Sequence, residues 1–187
     1  MSDVSIVNRA LALIGANKIT ALSDETLEAQ SANNMYEGSL KSILSECCWG
    51  FAKKRAWLNM LTIKPAFGGG NYFQPPSDYV RIFKKTADAE FEGEYLLSYA
   101  DKLGVIYTFL QKDTNRYTPQ FIDAFACRLA YDMSFDLTNS SSKQESLLRL
   151  YKGEFLPIAR SADARDRMPE KVSDDYWINS VNSARWD

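Results

Sequence analysis

Residues 40–57 read LKSILSECCWGFAKKRAW, and the hydrophobic pattern changes within this stretch. As far as Cys47 the apolar residues recur every three or four positions, which is the spacing of one face of a helix. From Trp49 onward aromatic and β-branched residues dominate, and glycine and proline turn signals separate short runs. The stretch therefore predicts that a helical region ends near residue 48 and that a β region follows it.

Two amphipathic helices are predicted before this change. The first spans residues 3–14, with Ser2 as its N-cap and Gly15 in the glycine position that commonly follows a helix. The second is expected to begin at Asp24 and Glu25, because carboxylates in a first turn interact favourably with the helix dipole.

The β region is predicted to form one small antiparallel sheet. Four short runs have the composition of strands, and they span residues 79–84, 90–92, 95–99 and 105–110. Gly93, between the second and third of these runs, predicts a tight turn or a bulge.

Helical spacing returns at Thr118, a suitable cap for a helix with Pro119 in its first position. The predicted core stripe of this helix consists of Ile122, Phe125, Leu129 and Met133. The last helix is expected to open with the capping-box sequence Ser142-Lys143-Gln144-Glu145 and to be kinked at Pro157. Its predicted core stripe consists of Leu148, Tyr151, Phe155 and Ile158.

The predicted fold class is α+β. Two N-terminal and two C-terminal helices form a four-helix α-domain, a small antiparallel sheet is inserted in the middle, and an extended C-terminal tail follows. The corresponding segments are residues 1–48, 49–117, 118–162 and 163–187.

The composition argues against an enzyme. The chain has 187 residues, a formal net charge of −2 and no histidine, which excludes a Ser-His-Asp triad and any His-ligated metal site. The run Gly68-Gly69-Gly70 is followed by Asn71 instead of the lysine that a phosphate-binding loop requires. Asp132 and Asp136, one helical turn apart, are interpreted as an exposed helix face rather than a catalytic pair. We predict no catalytic residue, no cofactor and no metal site.

One further acidic cluster is interpreted as a surface feature. Glu90, Glu92 and Glu94 alternate along a strand and are expected to form a solvated edge, with Phe91 and Tyr95 directed toward the core. The alternative is that three carboxylates on one face hold a hard cation.

An aromatic and basic cluster leaves two interpretations open. Trp49, Phe51 and Trp57 are interpreted as core residues, because aromatic side chains bury large apolar areas, and the run Lys53-Lys54-Arg55 as a solvated face. The alternative is a nucleic-acid-binding module of a packaging machine, in which these rings stack on bases beside phosphate-binding cations. A third hypothesis, a small enzyme with lysine or carboxylate chemistry, is weakened by the missing histidines.

Several short blocks carry a family resemblance. They are Asn8-Arg9-Ala10-Leu11 with Leu13-Ile14-Gly15, Ile19 and Leu22, then Trp49-Gly50-Phe51-Ala52 with Arg55-Ala56 and Leu58, Pro76-Ser77-Asp78-Tyr79, Tyr107, and Phe121, Ala124, Leu129 and Ala130. Together they resemble the tail tubular protein A family, the head-to-tail adaptors of short-tailed bacteriophages. The resemblance covers roughly residues 4–162.

The resemblance implies a structural subunit of a virion tail. Such adaptors form a dodecameric ring of neighbouring subunits below the portal protein, carry the tail nozzle protein and extend the DNA channel, and tail fibres commonly attach nearby. DNA passes through that channel without sequence-specific binding, which suits a weak net charge. Assembly is expected in the host bacterial cytoplasm and without a membrane, because no apolar run approaches the ~18 residues of a membrane helix.

Two segments are predicted to bind partners. The first is the loop of residues 65–74, in which glycines give the backbone conformational freedom. Its aromatic residues are expected to mark an interface, because an exposed apolar cluster usually does: Phe67, Tyr72 and Phe73. The second is the C-terminal arm, which is expected to become ordered against the portal or an adjacent subunit. Its predicted contact residues are Arg160, Arg165, Arg167, Tyr176, Trp177 and Trp186.

We expect truncation after Lys171 to leave the melting temperature nearly unchanged and to weaken attachment to the portal. The physical reason is that a short arm with tryptophan anchors adds contact area at a partner while contributing no core of its own. Thermal denaturation and portal co-sedimentation of the truncated chain measure the two effects. A much lower melting temperature would show that the arm belongs to the core.

Overall fold

The computed structural model describes residues 2–166, and it confirms the α+β fold class. The helices are α1 (Asp3–Ile14), α2 (Leu27–Glu46), α3 (Pro119–Thr138), α4 (Ser141–Leu150) and α5 (Leu156–Arg165). A π-helical turn, Tyr151–Phe155, joins α4 to α5, so that they continue as the fourth helix of the bundle. The strands are β1 (Lys53–Trp57), β2 (Asn59–Met60), β3 (Asn71–Gln74), β4 (Tyr79–Lys85), β5 (Glu90–Glu92), β6 (Tyr95–Ser98) and β7 (Gly104–Phe109).

Helix α3 is the centre of the helical core, because α1, α2, α4 and α5 all contact it. Its bounds and its core stripe agree with the prediction. Thr118 caps the helix by accepting a hydrogen bond from the Phe121 N–H, and the four predicted stripe residues are all buried. Trp49, Ala52 and Tyr117, which the predicted boundaries assign to the β region, are buried in this same helical core.

Helix α1 agrees with the prediction at both ends, whereas α2 begins later than expected. Thr26 caps α2, so Asp24 and Glu25 precede the helix instead of occupying its first turn. The Asp24 carboxylate accepts hydrogen bonds from the N–H groups of Thr20 and Ala21. An Asp side chain that bonds nearby backbone groups stabilises a turn at the expense of a helix, which explains the difference.

The last helix differs from the prediction in its cap and in its buried face. Ser140, not Ser142, is the cap, and its hydroxyl accepts a hydrogen bond from the Lys143 N–H. The π turn inserts one additional residue before Pro157, whose missing N–H removes a helical hydrogen bond. The buried stripe is displaced as a result: Ala159 is buried, whereas Ile158 is 56% exposed and does not belong to the core.

The β region contains two antiparallel sheets where one was predicted. The first sheet has the strand order β1-β7-β4, and the second has the order β2-β3-β6-β5. Leu58 alone separates β1 from β2, and its N–H donates to the Leu103 carbonyl, so the chain passes from one sheet to the other at this residue. Both sheets contribute to one buried cluster, which consists of Leu58, Phe73, Leu96, Leu103, Val105 and Tyr107.

Hydrogen bonds and ring contacts join the β region to the helical region. The indole N–H of Trp49 donates to the Ile43 carbonyl at 2.8 Å, and the ring lies edge-on to Phe121. The guanidinium of Arg81 in β4 donates to the Ser45 carbonyl at 2.8 Å. Both bonds satisfy carbonyls in the last turn of α2, which have no partner within the helix.

We expect Tyr151→Phe to raise the free energy of unfolding by about 1 kcal/mol, because an unsatisfied buried polar atom costs about 1–3 kcal/mol. Tyr151 is fully buried, and its hydroxyl has no hydrogen-bond partner within residues 2–166. Tyr117→Phe is the matched control and should be destabilising, since the Tyr117 hydroxyl donates to the Gln111 carbonyl at 2.6 Å. Chemical denaturation of both variants tests this, and a less stable Tyr151→Phe protein would contradict it.

Candidate functional site

The three aromatic residues predicted to form one exposed cluster lie in three different environments. Phe67 is 90% exposed at the tip of the loop before β3. Tyr72 is half-buried on the outer side of the second sheet, where its ring lies 5.7 Å from that of Tyr95. Phe73 is fully buried between the sheets, because alternation along β3 points it to the side opposite Tyr72. The prediction that Phe73 contacts a partner is therefore wrong.

The loop that carries Phe67 is held against the second sheet. The Tyr99 hydroxyl donates to the Gly68 carbonyl at 3.0 Å. Gly70 has a φ of +97°, and a Cβ atom at this position would lie 2.9 Å from a methyl carbon of Leu97. Glycine is thus required here both for the backbone conformation and for the close approach to the sheet. The exposed Phe67 side chain is presented by an anchored loop.

The predicted C-terminal contact residues are only partly within the described part of the chain. Arg160 lies on α5 and donates to the backbone carbonyl and the carboxylate of Glu46, so it joins α5 to the end of α2. Arg165 is exposed in the last turn of α5, where its Nε donates to the Ser161 carbonyl. The remaining predicted residues lie outside residues 2–166: Arg167, Tyr176, Trp177 and Trp186.

The outer side of the first sheet carries cations around a tryptophan. Alternation along β1 directs Lys53, Arg55 and Trp57 to this side, and the pairing of Lys84 with Ile106 places Lys84 beside them. We call these four residues the basic face. Trp57 is 69% exposed, so the prediction that it is a core residue is wrong. Its indole ring lies over Gly104, where a Cβ atom would come within 3.1 Å of it.

The run Lys53-Lys54-Arg55 is divided by the sheet. Lys54 points to the opposite side from its neighbours, donates to the Asp78 carboxylate at 2.6 Å and lies over the Phe109 ring. The pKa of Asp78 is lowered: partial burial acts to raise it, but hydrogen bonds from Lys54 and from the Tyr107 hydroxyl outweigh the burial. Lys54 is thus a structural residue at the edge of the sheet.

The outer side of the second sheet is acidic and aromatic. Glu90 and Glu92 of β5 pair with Leu97 and Tyr95 of β6, and all four side chains share one side of the sheet. Glu94 lies in the hairpin turn after Gly93, so it does not continue the strand alternation as predicted. We call Glu90, Glu92, Glu94, Tyr72 and Tyr95 the acidic face. The expected solvated edge is observed for Glu90 and Glu92, which are exposed.

Phe91 is directed inward, as expected, but remains 49% exposed. The same expectation is wrong for Tyr95, which lies on the outer side with Glu92 because the turn at Gly93 and Glu94 interrupts the alternation. The Phe91 ring stacks on that of Tyr79 with the centroids 6.0 Å apart. The two rings close the edge where β5 approaches β4.

The two tyrosines of this face have raised pKa values. Burial, together with a hydrogen bond from the Tyr72 hydroxyl to Glu92, raises the pKa of Tyr72. The pKa of Tyr95 is raised chiefly by its hydrogen bond to Glu94. Both tyrosines therefore remain neutral near neutral pH.

Other polar side chains in the described region stabilise the fold. An open cleft of about 570 Å³ lies between α2 and β4. Asp78 provides the carboxylate that lines this cleft, and it already forms an ion pair with Lys54. Asp132 accepts hydrogen bonds from Ser39 and Arg128 between α2 and α3, so its predicted placement on an exposed helix face is wrong. Burial raises the pKa of the Cys127 thiol to about 12, which keeps it protonated.

Metal ligation and membrane insertion each require a particular arrangement of side chains. Within residues 2–166 no group of three or more His, Cys, Asp or Glu side chains is arranged to hold a metal ion. No helix in the same range combines the length and the apolar character needed to cross a bilayer.

Comparison with known proteins gives no family assignment: no protein-family model and no curated protein matches the chain.

We expect Phe67→Ser to leave the melting temperature unchanged, since its side chain contacts mainly solvent. Phe73→Ala should instead cost about 3–5 kcal/mol of stability, as large-to-small substitutions in a core do. Thermal denaturation of both variants is the measurement, and a large loss of stability in Phe67→Ser would contradict the loop geometry.

Proposed function

We propose that this chain is a structural protein of a short-tailed phage tail, a ring-forming adaptor that joins the portal protein to the tail nozzle and extends the DNA channel. The observation that carries the proposal is that many of the residues behind the family resemblance are buried or make contacts between distant parts of the fold. They therefore form a connected structural framework and not a scatter of surface matches.

The N-terminal block illustrates this role. Asn8 on α1 forms two hydrogen bonds with the backbone of Ile19: its amide donates to the Ile19 carbonyl at 2.9 Å, and its carbonyl accepts from the Ile19 N–H at 2.8 Å. Together they fold the segment after α1 back along the helix. Gly15, in the same block, ends α1 in the left-handed conformation.

The two middle blocks position the β region. Trp49 holds the start of that region against α2 and α3. Asp78, immediately before β4, accepts hydrogen bonds from Lys54 at the end of one strand and from Tyr107 in another. These contacts support a common architecture for this chain and the resembled adaptors.

An adaptor also needs surfaces for partners, and the described region offers them. The anchored loop presents Phe67 to solvent, and the outer sides of the two sheets differ in charge. An exposed aromatic side chain on an anchored loop has little conformational freedom to lose on binding, which favours its use as a contact.

The nucleic-acid-binding alternative uses the same basic residues but is less well supported. Lys54 is one of the three cations that this alternative requires, and it already forms an ion pair with Asp78. The chain has a formal net charge of −2, whereas nucleic-acid-binding domains usually carry a basic excess.

Co-expression with the portal protein of the phage that encodes the chain tests the proposal. We expect the chain to co-sediment with portal rings and to bind duplex DNA only weakly, and we expect the purified chain alone to form no stable dodecamer at low micromolar concentration. Phe67→Ser should reduce the portal-bound fraction if the loop is a contact. Absence of portal binding, combined with tight DNA binding that falls steeply with salt, would favour the packaging module instead.

A further inference from the structure

The two sheets direct faces of opposite charge away from their shared core. In that core Phe73 and Leu96 of the second sheet meet Val105 and Tyr107 of the first. Successive residues of a strand point to opposite sides, so the positions next to these core residues point away from the core. The basic face and the acidic face are therefore the two opposed outer surfaces of one sandwich.

Two cations of the basic face, Lys53 and Arg55, are not neutralised within the described part of the chain. Lys53 and Arg55 have no ion-pair partner among residues 2–166, whereas the neighbouring Lys54 is paired with Asp78. Trp57 supplies a large exposed aromatic surface in the same row. An unneutralised cationic rim around an exposed tryptophan is the composition expected of a protein contact.

The acidic face has the complementary arrangement. Glu90 and Glu92 are exposed and lie beside the adjacent rings of Tyr72 and Tyr95. Each outer surface thus combines aromatic area with charges of a single sign.

We propose that neighbouring copies of this chain associate head to tail through these surfaces, with the basic face of one copy against the acidic face of the next. Like charges oppose the pairing of either face with itself, which disfavours a symmetric dimer. Because the two faces are opposed, each bound copy leaves one face of either sign free for the next copy. Repetition of this contact generates a ring or an open filament.

The inference deepens the proposed adaptor function, because it names the surfaces through which the ring would close. It also explains why the isolated chain is expected to assemble incompletely. Exposed ion pairs are weak individually and are screened by salt, so a single junction is unstable at low concentration. A portal ring that holds many copies side by side would raise their effective concentration.

Charge reversal tests the contact on the full chain without any portal. In sedimentation velocity at low salt, we expect the unmodified chain to associate reversibly as its concentration rises and to dissociate when salt is added. The double variant Lys53→Glu/Arg55→Glu and the double variant Glu90→Lys/Glu92→Lys should each associate at least about tenfold more weakly, because each now opposes like charges at every junction.

Mixing the two double variants is the decisive step. In the mixture both kinds of junction between unlike copies are complementary, so association should return to the level of the unmodified chain. The recovery also shows that both variants are folded. Matched controls reverse the same number of charges in the helical region, with Lys18→Glu/Lys152→Glu and Glu25→Lys/Glu154→Lys, and each should associate like the unmodified chain because both of its faces are intact.

Four results would overturn the proposal. They are an unmodified chain that stays monomeric at every concentration, face variants that associate normally, a mixture that does not recover, and loss of association when residues 167–187 are removed. Binding of a DNA duplex to the basic face with unchanged self-association would assign that face to nucleic acid instead. If the charge-reversal variants behave as expected but the chain does not bind the portal, the adaptor function is rejected and the head-to-tail contact is still supported.

Discussion

The burial of Trp49 is the constraint on which the arrangement of the two regions depends. Its side chain is fully buried, its N–H is satisfied by the Ile43 carbonyl, and its ring packs edge-on against Phe121 of the central helix. Truncation of a buried tryptophan costs about 3–5 kcal/mol, a large part of a typical total stability of about 5–15 kcal/mol. The next residue, Gly50, donates its N–H to Asp163 of α5 at 2.7 Å. The chain therefore enters β1 from a point held by α2, α3 and α5.

The fixed start of β1 determines what the sheets present to solvent. β1 pairs with β7, and β7 pairs with β4. The Arg81 guanidinium of β4 donates a hydrogen bond to the Ser45 carbonyl at the end of α2, which fixes β4 against that helix. The second sheet then covers the inner side of the first. Two outer surfaces remain, and their charges differ because β1 and β4 direct lysine and arginine outward whereas β5 directs glutamate outward. The proposed head-to-tail contact between subunits is a consequence of this arrangement.

The sequence predicted the elements whose determinants are local. Ser2, Gly15 and Thr118 act within one turn of a helix, and the limits of α1 and α3 agree with the prediction. The predicted start of α2 was wrong, because the Asp24 side chain bonds to the backbone of the preceding turn instead of occupying the first turn of the helix. β1 was missed because its Lys-Lys-Arg run shows no apolar alternation, and its strand conformation depends on pairing with the distant β7.

The candidate surfaces were predictable only in part. Alternation placed Glu90 and Glu92 on one side of a strand, and the structure confirms this for both residues. It could not show that Lys84 lies beside Arg55, because only the pairing of β4 and β1 with β7 brings them together. Phe73 was assigned to an exposed loop because β3 was not recognised, and a strand residue facing the core cannot be distinguished from a loop aromatic by composition alone.

The most direct test of the central claim is an electron cryo-microscopy reconstruction of the chain bound to its portal. The account predicts a closed ring stacked on the portal, in which the first sheet of each subunit faces the second sheet of its neighbour, with Arg55 close to Glu90 across the junction. A reconstruction without a ring would contradict the account, and so would a ring whose subunits meet only through their helices.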